Sequence, residues 1–105
     1  MNWTIVLGDA LIVAEKREKD SLTLFLDCSY MAPKLPLEQI RFFDYSIKED
    51  TALTGLFCVR DRFEQVGDQG ELKMVLSDKR NHKKVFRIRF SRFEVFPQLY
   101  SRYKD

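Results

Sequence analysis

Hydrophobic and polar residues alternate along much of this chain with a period of two, the signature of β-strands that bury one face. The clearest run lies at residues 85–91, where Phe86, Ile88 and Phe90 share one parity while Val85, Arg87, Arg89 and Ser91 share the other. After Ser91 the phase slips, because Phe93 and Val95 carry the apolar signal on the parity that had been basic. A bulge near Ser91 and Arg92 would keep both halves facing one core. Residues 22–30 are equally regular: Leu22, Leu24, Leu26, Cys28 and Tyr30 alternate with Thr23, Phe25, Asp27 and Ser29. Phe25 is then the one large apolar residue on the outer parity, ordinary when single and of interest only beside a second exposed aromatic.

The remaining elements follow from the same pattern and its interruptions. Residues 3–7 and 10–16 are apolar runs separated by Gly8-Asp9, a pair that suits a two-residue hairpin opening with glycine at positive φ; one long strand bulged at Gly8 is the alternative. Residues 15–21 form a polar turn, and Pro33 and Pro36 break the ladder over residues 31–37. Across residues 38–47, Arg41, Phe43, Tyr45 and Ile47 fit a strand better than Leu37, Ile40 and Asp44 fit a helical turn. Residues 52–64 hold apolar side chains on both parities, Leu53, Phe57 and Val59 against Leu56 and Cys58, which predicts a strand covered on both sides, with a bulge or close approach at Gly55. Residues 67–70 read as a turn, Leu72, Met74 and Leu76 as one buried face, and residues 78–83 as the last turn.

Seven short strands joined by tight turns predict an all-β fold, a single antiparallel β-sandwich of about seven strands, with a small closed β-barrel as the alternative. Residues 1–96 form one domain and residues 97–105 a C-terminal tail that opens with Pro97. With 105 residues and 45% hydrophobic content, such a domain buries roughly two thirds of its unfolded surface without metal or disulfide staples.

Charge changes the picture more than composition does. Residues 1–78 carry nine cations and fourteen acids, whereas residues 79–105 carry nine cations and two acids. Lys79, Arg80, Lys83, Lys84, Arg87, Arg89 and Arg92 are seven cations in fourteen residues with no acid among them. The overall charge is only +2, which argues against a general polyanion binder and leaves a local basic patch that the chain's own acidic strands could partly neutralise.

Catalytic chemistry finds little support. His82, the single histidine, sits in a polar turn beside Lys83 and Lys84, a poor platform for proton transfer. Asp27 and Asp44 would make an acid pair only if their strands placed them together, and strand acids opposite arginines such as Arg87 and Arg89 are commoner. Phosphate loops, GxSxG and HExxH are absent from the sequence, and Cys28 and Cys58 lie thirty residues apart with no metal-ligand spacing. Both thiols are expected buried and free, with a cross-strand disulfide as the minority case. Trp3 precedes both cysteines, so the immunoglobulin arrangement of Cys, Trp and Cys is missing.

The expectation is therefore a non-enzymatic, cytoplasmic protein-interaction domain of the inhibitor or immunity and anti-defence type, without cofactor, metal or membrane span. Its basic residues from Lys79 to Arg92 would bind an acidic partner surface, with Arg60, Arg62, Phe63, Tyr100 and Tyr103 as secondary anchors. Binding of RNA or single-stranded DNA through the basic hairpin 79–92 is the alternative. It lacks the aromatic half of the mechanism, because Phe86, Ile88 and Phe90 fall on the buried parity. A small enzyme with an unrecognised site is the third reading.

Overall fold

The computed structural model describes residues 8–27, 39–49 and 51–96, and every regular element among them is a β-strand. In chain order these are β1 (Leu11–Arg17), β2 (Ser21–Asp27), β3 (Gln39–Phe43), β4 (Ser46–Ile47), β5 (Phe57–Val66), β6 (Gln69–Ser77), β7 (Lys83–Phe90) and β8 (Arg92–Phe96). They make one antiparallel sheet in the order β4-β7-β6-β5-β1-β2-β3-β8, so the all-β expectation holds. The expected strand at residues 3–7, Cys28 and the tail at residues 97–105 with its Tyr100 and Tyr103 lie outside the described residues.

Two of the expected strands are each broken once, and the breaks face each other. Phe43 pairs with Arg92 and Ser46 with Arg89, so the ladder between the two strands keeps its register across both bends. The side-chain phase changes on both strands at that level: Ile40 and Phe42 are buried before the bend and Tyr45 and Ile47 pack on the core after it, opposite Phe90 and Ile88 giving way to Phe93 and Val95. Asp44 takes the turn with φ at 52°, a left-handed conformation that aspartate tolerates better than most residues. Its amide donates to the Asp20 carbonyl at 2.9 Å, and the Ser91 hydroxyl donates to Asp44 Oδ2 at 2.8 Å while the Ser91 amide reaches the Phe43 carbonyl at 3.0 Å. The phase slip read at Ser91 is thus half of a matched kink. The slip on the partner strand overturns the parity expected there: Arg41 is exposed and Phe43 lies with it on the outer face, whereas Ile40 and Phe42 point inward.

The kink lets one core serve the whole sheet. Ile12, Leu22, Leu24, Ile40, Phe42, Leu72, Met74, Leu76, Phe86, Ile88 and Phe90 are all buried in one apolar cluster. At its centre the Phe90 ring lies 4.8 Å from Phe42 in a tilted pair, 5.9 Å from Phe63 in a stacked one and 6.0 Å from Phe93 edge-on, all distances at which aromatic rings attract. Gly70 pairs directly with Phe90, and a Cβ there would stand 2.7 Å from the Phe90 ring, so the glycine is what admits the ring. Its role is close packing within β6, not the turn assigned to residues 67–70; the turn is Gly67-Asp68 alone, with Gly67 at φ 65° between the paired Val66 and Gln69.

Three further expectations change. Positive φ in the Gly8-Asp9 turn belongs to Asp9, at 72°, and the Gly8 amide instead donates to Asp61 Oδ1 at 3.1 Å. Residues 52–64 are not one strand covered on both sides: the first part is a loop that buries Leu53, turns at Gly55 with φ 87° and bonds its Gly55 amide to the Ile12 carbonyl at 2.7 Å. The irregularity in β5 falls between Cys58 and Arg60, leaving Val59 half exposed. The double apolar parity came from merging loop residues with strand residues.

Cys58 is buried and free, as expected of it. Burial above all pushes its thiol up to about 12, with the Asp61 and Asp9 carboxylates adding to the shift and a contact to the Arg60 backbone opposing it.

Candidate protein-interaction surface

The inward parity of Phe86, Ile88 and Phe90 turns Val85, Arg87 and Arg89 outward, which places the two arginines on the outer face of β4, β7, β6 and β5. Both are already engaged by acids of the chain itself. Arg87 donates from Nη1 to Glu49 Oε1 at 3.1 Å and from its amide to Glu49 Oε2 at 3.1 Å; Arg89 Nε meets Glu71 Oε2 at 2.9 Å. The partners are Glu49 and Glu71, not Asp27 or Asp44. Asp44 belongs to the kink and Asp27 ends β2 at the far end of the β2–β3 ladder, about 20 Å away by strand rise, so the two cannot act as an acid pair.

The other cations of the basic stretch separate into two places. Lys79, Arg80, Lys83 and Lys84 are exposed around the loop joining β6 to β7, and none of the four forms an ion pair with another described residue. That loop is built by Asp78, whose Oδ1 accepts the Arg80 and His82 amides at 2.9 Å each, with Asn81 in the left-handed region at φ 64°. These backbone donors, His82 first, hold the Asp78 carboxyl below the usual range, and His82 and Lys84 contribute in the same direction. His82 itself is exposed, its Nδ1 3.5 Å from Asp78 Oδ2, in keeping with a turn residue. Arg92 lies past the kink on β8, where its guanidinium stacks 3.7 Å over the Phe43 ring and pairs with Glu94 at 2.9 Å.

Of the secondary anchors, Arg60 and Arg62 are exposed on β5, and Arg62 pairs with Glu64 at 2.8 Å. Phe63 points inward to the aromatic cluster against Phe90 and Phe93, so its contribution is to packing.

What the register adds is Lys73. It sits opposite Arg62 on one side and opposite Arg87 on the other, so three cations stand in one row across β5, β6 and β7. A depression of about 180 Å³ is lined by Arg62, Glu64, Glu71, Lys73 and Arg87, and a neighbouring one of about 250 Å³ by Ser46, Lys48, Glu71, Arg87 and Arg89. A second surface was also missed. Phe25 and Phe96 are exposed on either side of Gln39 in one row of the β2–β3–β8 face, with Phe43 between Arg41 and Arg92 nearby.

Among the described residues no group of three or more His, Cys, Asp or Glu side chains could hold a metal ion, and no helix is long and apolar enough to cross a membrane. No protein-family model, characterised protein or solved structure matches the chain.

Proposed function

We propose that this chain is a non-enzymatic protein-interaction domain, of the inhibitor or immunity type, that binds an acidic protein surface. The reading is carried by one observation: Lys79, Arg80, Lys83 and Lys84 lie in and beside the β6–β7 loop, exposed and without an ion-pair partner among the described residues, while Arg87, Arg89 and Arg92 are each held by a glutamate of the chain. Cations that an internal carboxylate does not engage are those that a partner meets first, and they steer its approach. Asp78 fixes the loop, so Lys79 and Arg80 are presented on a defined turn, next to Lys83 and Lys84 at the start of β7. A buried, free Cys58 supports action in a reducing compartment such as the cytoplasm.

Binding of single-stranded nucleic acid is the second reading, and Phe25 and Phe96 with the Arg41, Phe43 and Arg92 group favour it, because they offer the stacking surface that β7 does not.

Capture from an extract of the native host, with and without nuclease, tests both. The interaction reading expects an acidic protein to be retained after nuclease treatment and lost when Lys79, Arg80, Lys83 and Lys84 are all replaced by Glu, with the circular dichroism of a folded β protein preserved. Retention of every partner by that variant removes the surface assignment. Loss of all binding on nuclease treatment transfers the function to nucleic acid.

A further inference from the structure

The row Arg62, Lys73 and Arg87 is unfavourable for the fold taken alone. Directly opposed strand residues have Cβ atoms about 4.5–5.5 Å apart, and like charges at that spacing destabilise a sheet. Here two such oppositions share one lysine. The flanking arginines are relieved by Glu64 and Glu49, but Lys73, exposed at the centre of the row, has no ion pair among the described residues. Local violations of this kind concentrate where a protein binds something.

We infer that this row is an anion seat, which takes the carboxylate side chains of an acidic peptide segment laid across β5, β6 and β7. The inference rests on the acidic-partner reading and gives that partner a second point of attachment beyond the β6–β7 loop. Charge complementarity carries it. The two depressions share Arg87 and Glu71 in their linings, and together they are bordered by Lys48, Arg62, Lys73, Arg87 and Arg89 against Glu64 and Glu71, so cations outnumber acids around them. The Arg62–Glu64 pair is the most open, with side chains 77% and 48% accessible, whereas Arg89–Glu71 at 48% and 26% and Arg87–Glu49 at 39% and 29% are partly covered. Pairs so placed are held weakly and can be exchanged for an incoming carboxylate. Lys73 needs no exchange, and a carboxylate reaching it lies between the guanidiniums of Arg62 and Arg87, which can add bidentate contacts as they release Glu64 and Glu49.

A fluorescent deca-glutamate peptide is the probe. The seat predicts binding at low ionic strength that weakens as salt rises, and at least a tenfold rise in Kd for Lys73→Glu. That variant replaces a row of three cations by alternating charges, so its Tm should equal or exceed that of the native protein. Arg62→Glu serves as a second variant and should weaken the peptide in the same way. Equal affinity of the native protein and Lys73→Glu for the peptide overturns the seat, while leaving an acidic partner at the β6–β7 loop untouched. Peptide binding that depends on Lys73, in a protein that captures no acidic partner from the host, upholds the seat and overturns the broader reading.

Discussion

Replacing Phe90 by alanine should cost about 3–5 kcal/mol, the range for deleting a buried aromatic ring and leaving a cavity. A domain of this size has a total stability of about 5–15 kcal/mol, so the variant should be partly unfolded in water or melt many degrees lower. The loss has an identifiable origin. Phe90 is buried at the centre of the Phe42, Phe63 and Phe93 rings and fills the space that Gly70 leaves open on β6. Phe93, half-buried at the rim of the same cluster, should cost less than half as much when truncated. Equilibrium urea unfolding measures both. Equal losses at the two positions would mean that the core is not centred on Phe90.

The second large effect is alkaline. The Cys58 thiol is raised from its ordinary 9.0 to about 12, chiefly by burial. In the unfolded chain the same thiol ionises near its ordinary pKa, so below about pH 9 both states hold the proton and the contribution to stability is complete. Above that pH the unfolded state releases the proton while the folded state keeps it, and stability falls by about 1.4 kcal/mol per pH unit until the folded pKa is passed. Across the whole interval the ceiling is about 4 kcal/mol. The comparison to make is native protein against Cys58→Ala, because lysine and tyrosine titration is common to both. The stability difference between them should shrink steadily from pH 9 to pH 10.5. A difference that stays constant over that range would show that the thiol is not shielded.

How much of this could be read beforehand depended on whether a signal was local. Leu72, Met74 and Leu76, or Phe86, Ile88 and Phe90, declare their strands because a period of two over five residues has few rival explanations. The slip from Phe90 to Phe93 was legible for the same reason. Its counterpart at Asp44 was not, since Ile40, Phe42, Phe43, Tyr45 and Ile47 put apolar residues on both parities and conceal the change of phase. Residues 52–64 misled in a related way: Leu53 and Leu56 belong to a loop, and only tertiary bonds such as that from the Leu53 amide to Glu15 Oε1 at 2.8 Å distinguish them from strand residues.

The candidate surface divides similarly. The charge of residues 79–92 is evident in the sequence, but which of those cations are engaged depends on partners from distant segments, Glu49 and Glu71, whose register no local pattern specifies. Lys73 was within reach. A two-residue Gly67-Asp68 hairpin fixes the β5–β6 register and sets Lys73 against Arg62, whereas a turn assigned to four residues does not. The aromatic pair Phe25 and Phe96 was out of reach, because it requires knowing that β3 lies between β2 and β8.

The most direct test of the basic surface is a titration of isotope-labelled protein with deca-glutamate, followed by backbone amide chemical shifts. The largest changes should fall on residues 79–84, Lys73 and Arg87, and should fade as salt is added. Shifts confined to Phe25, Phe43 and Phe96, or no shift at low ionic strength, would contradict an acidic partner on this face.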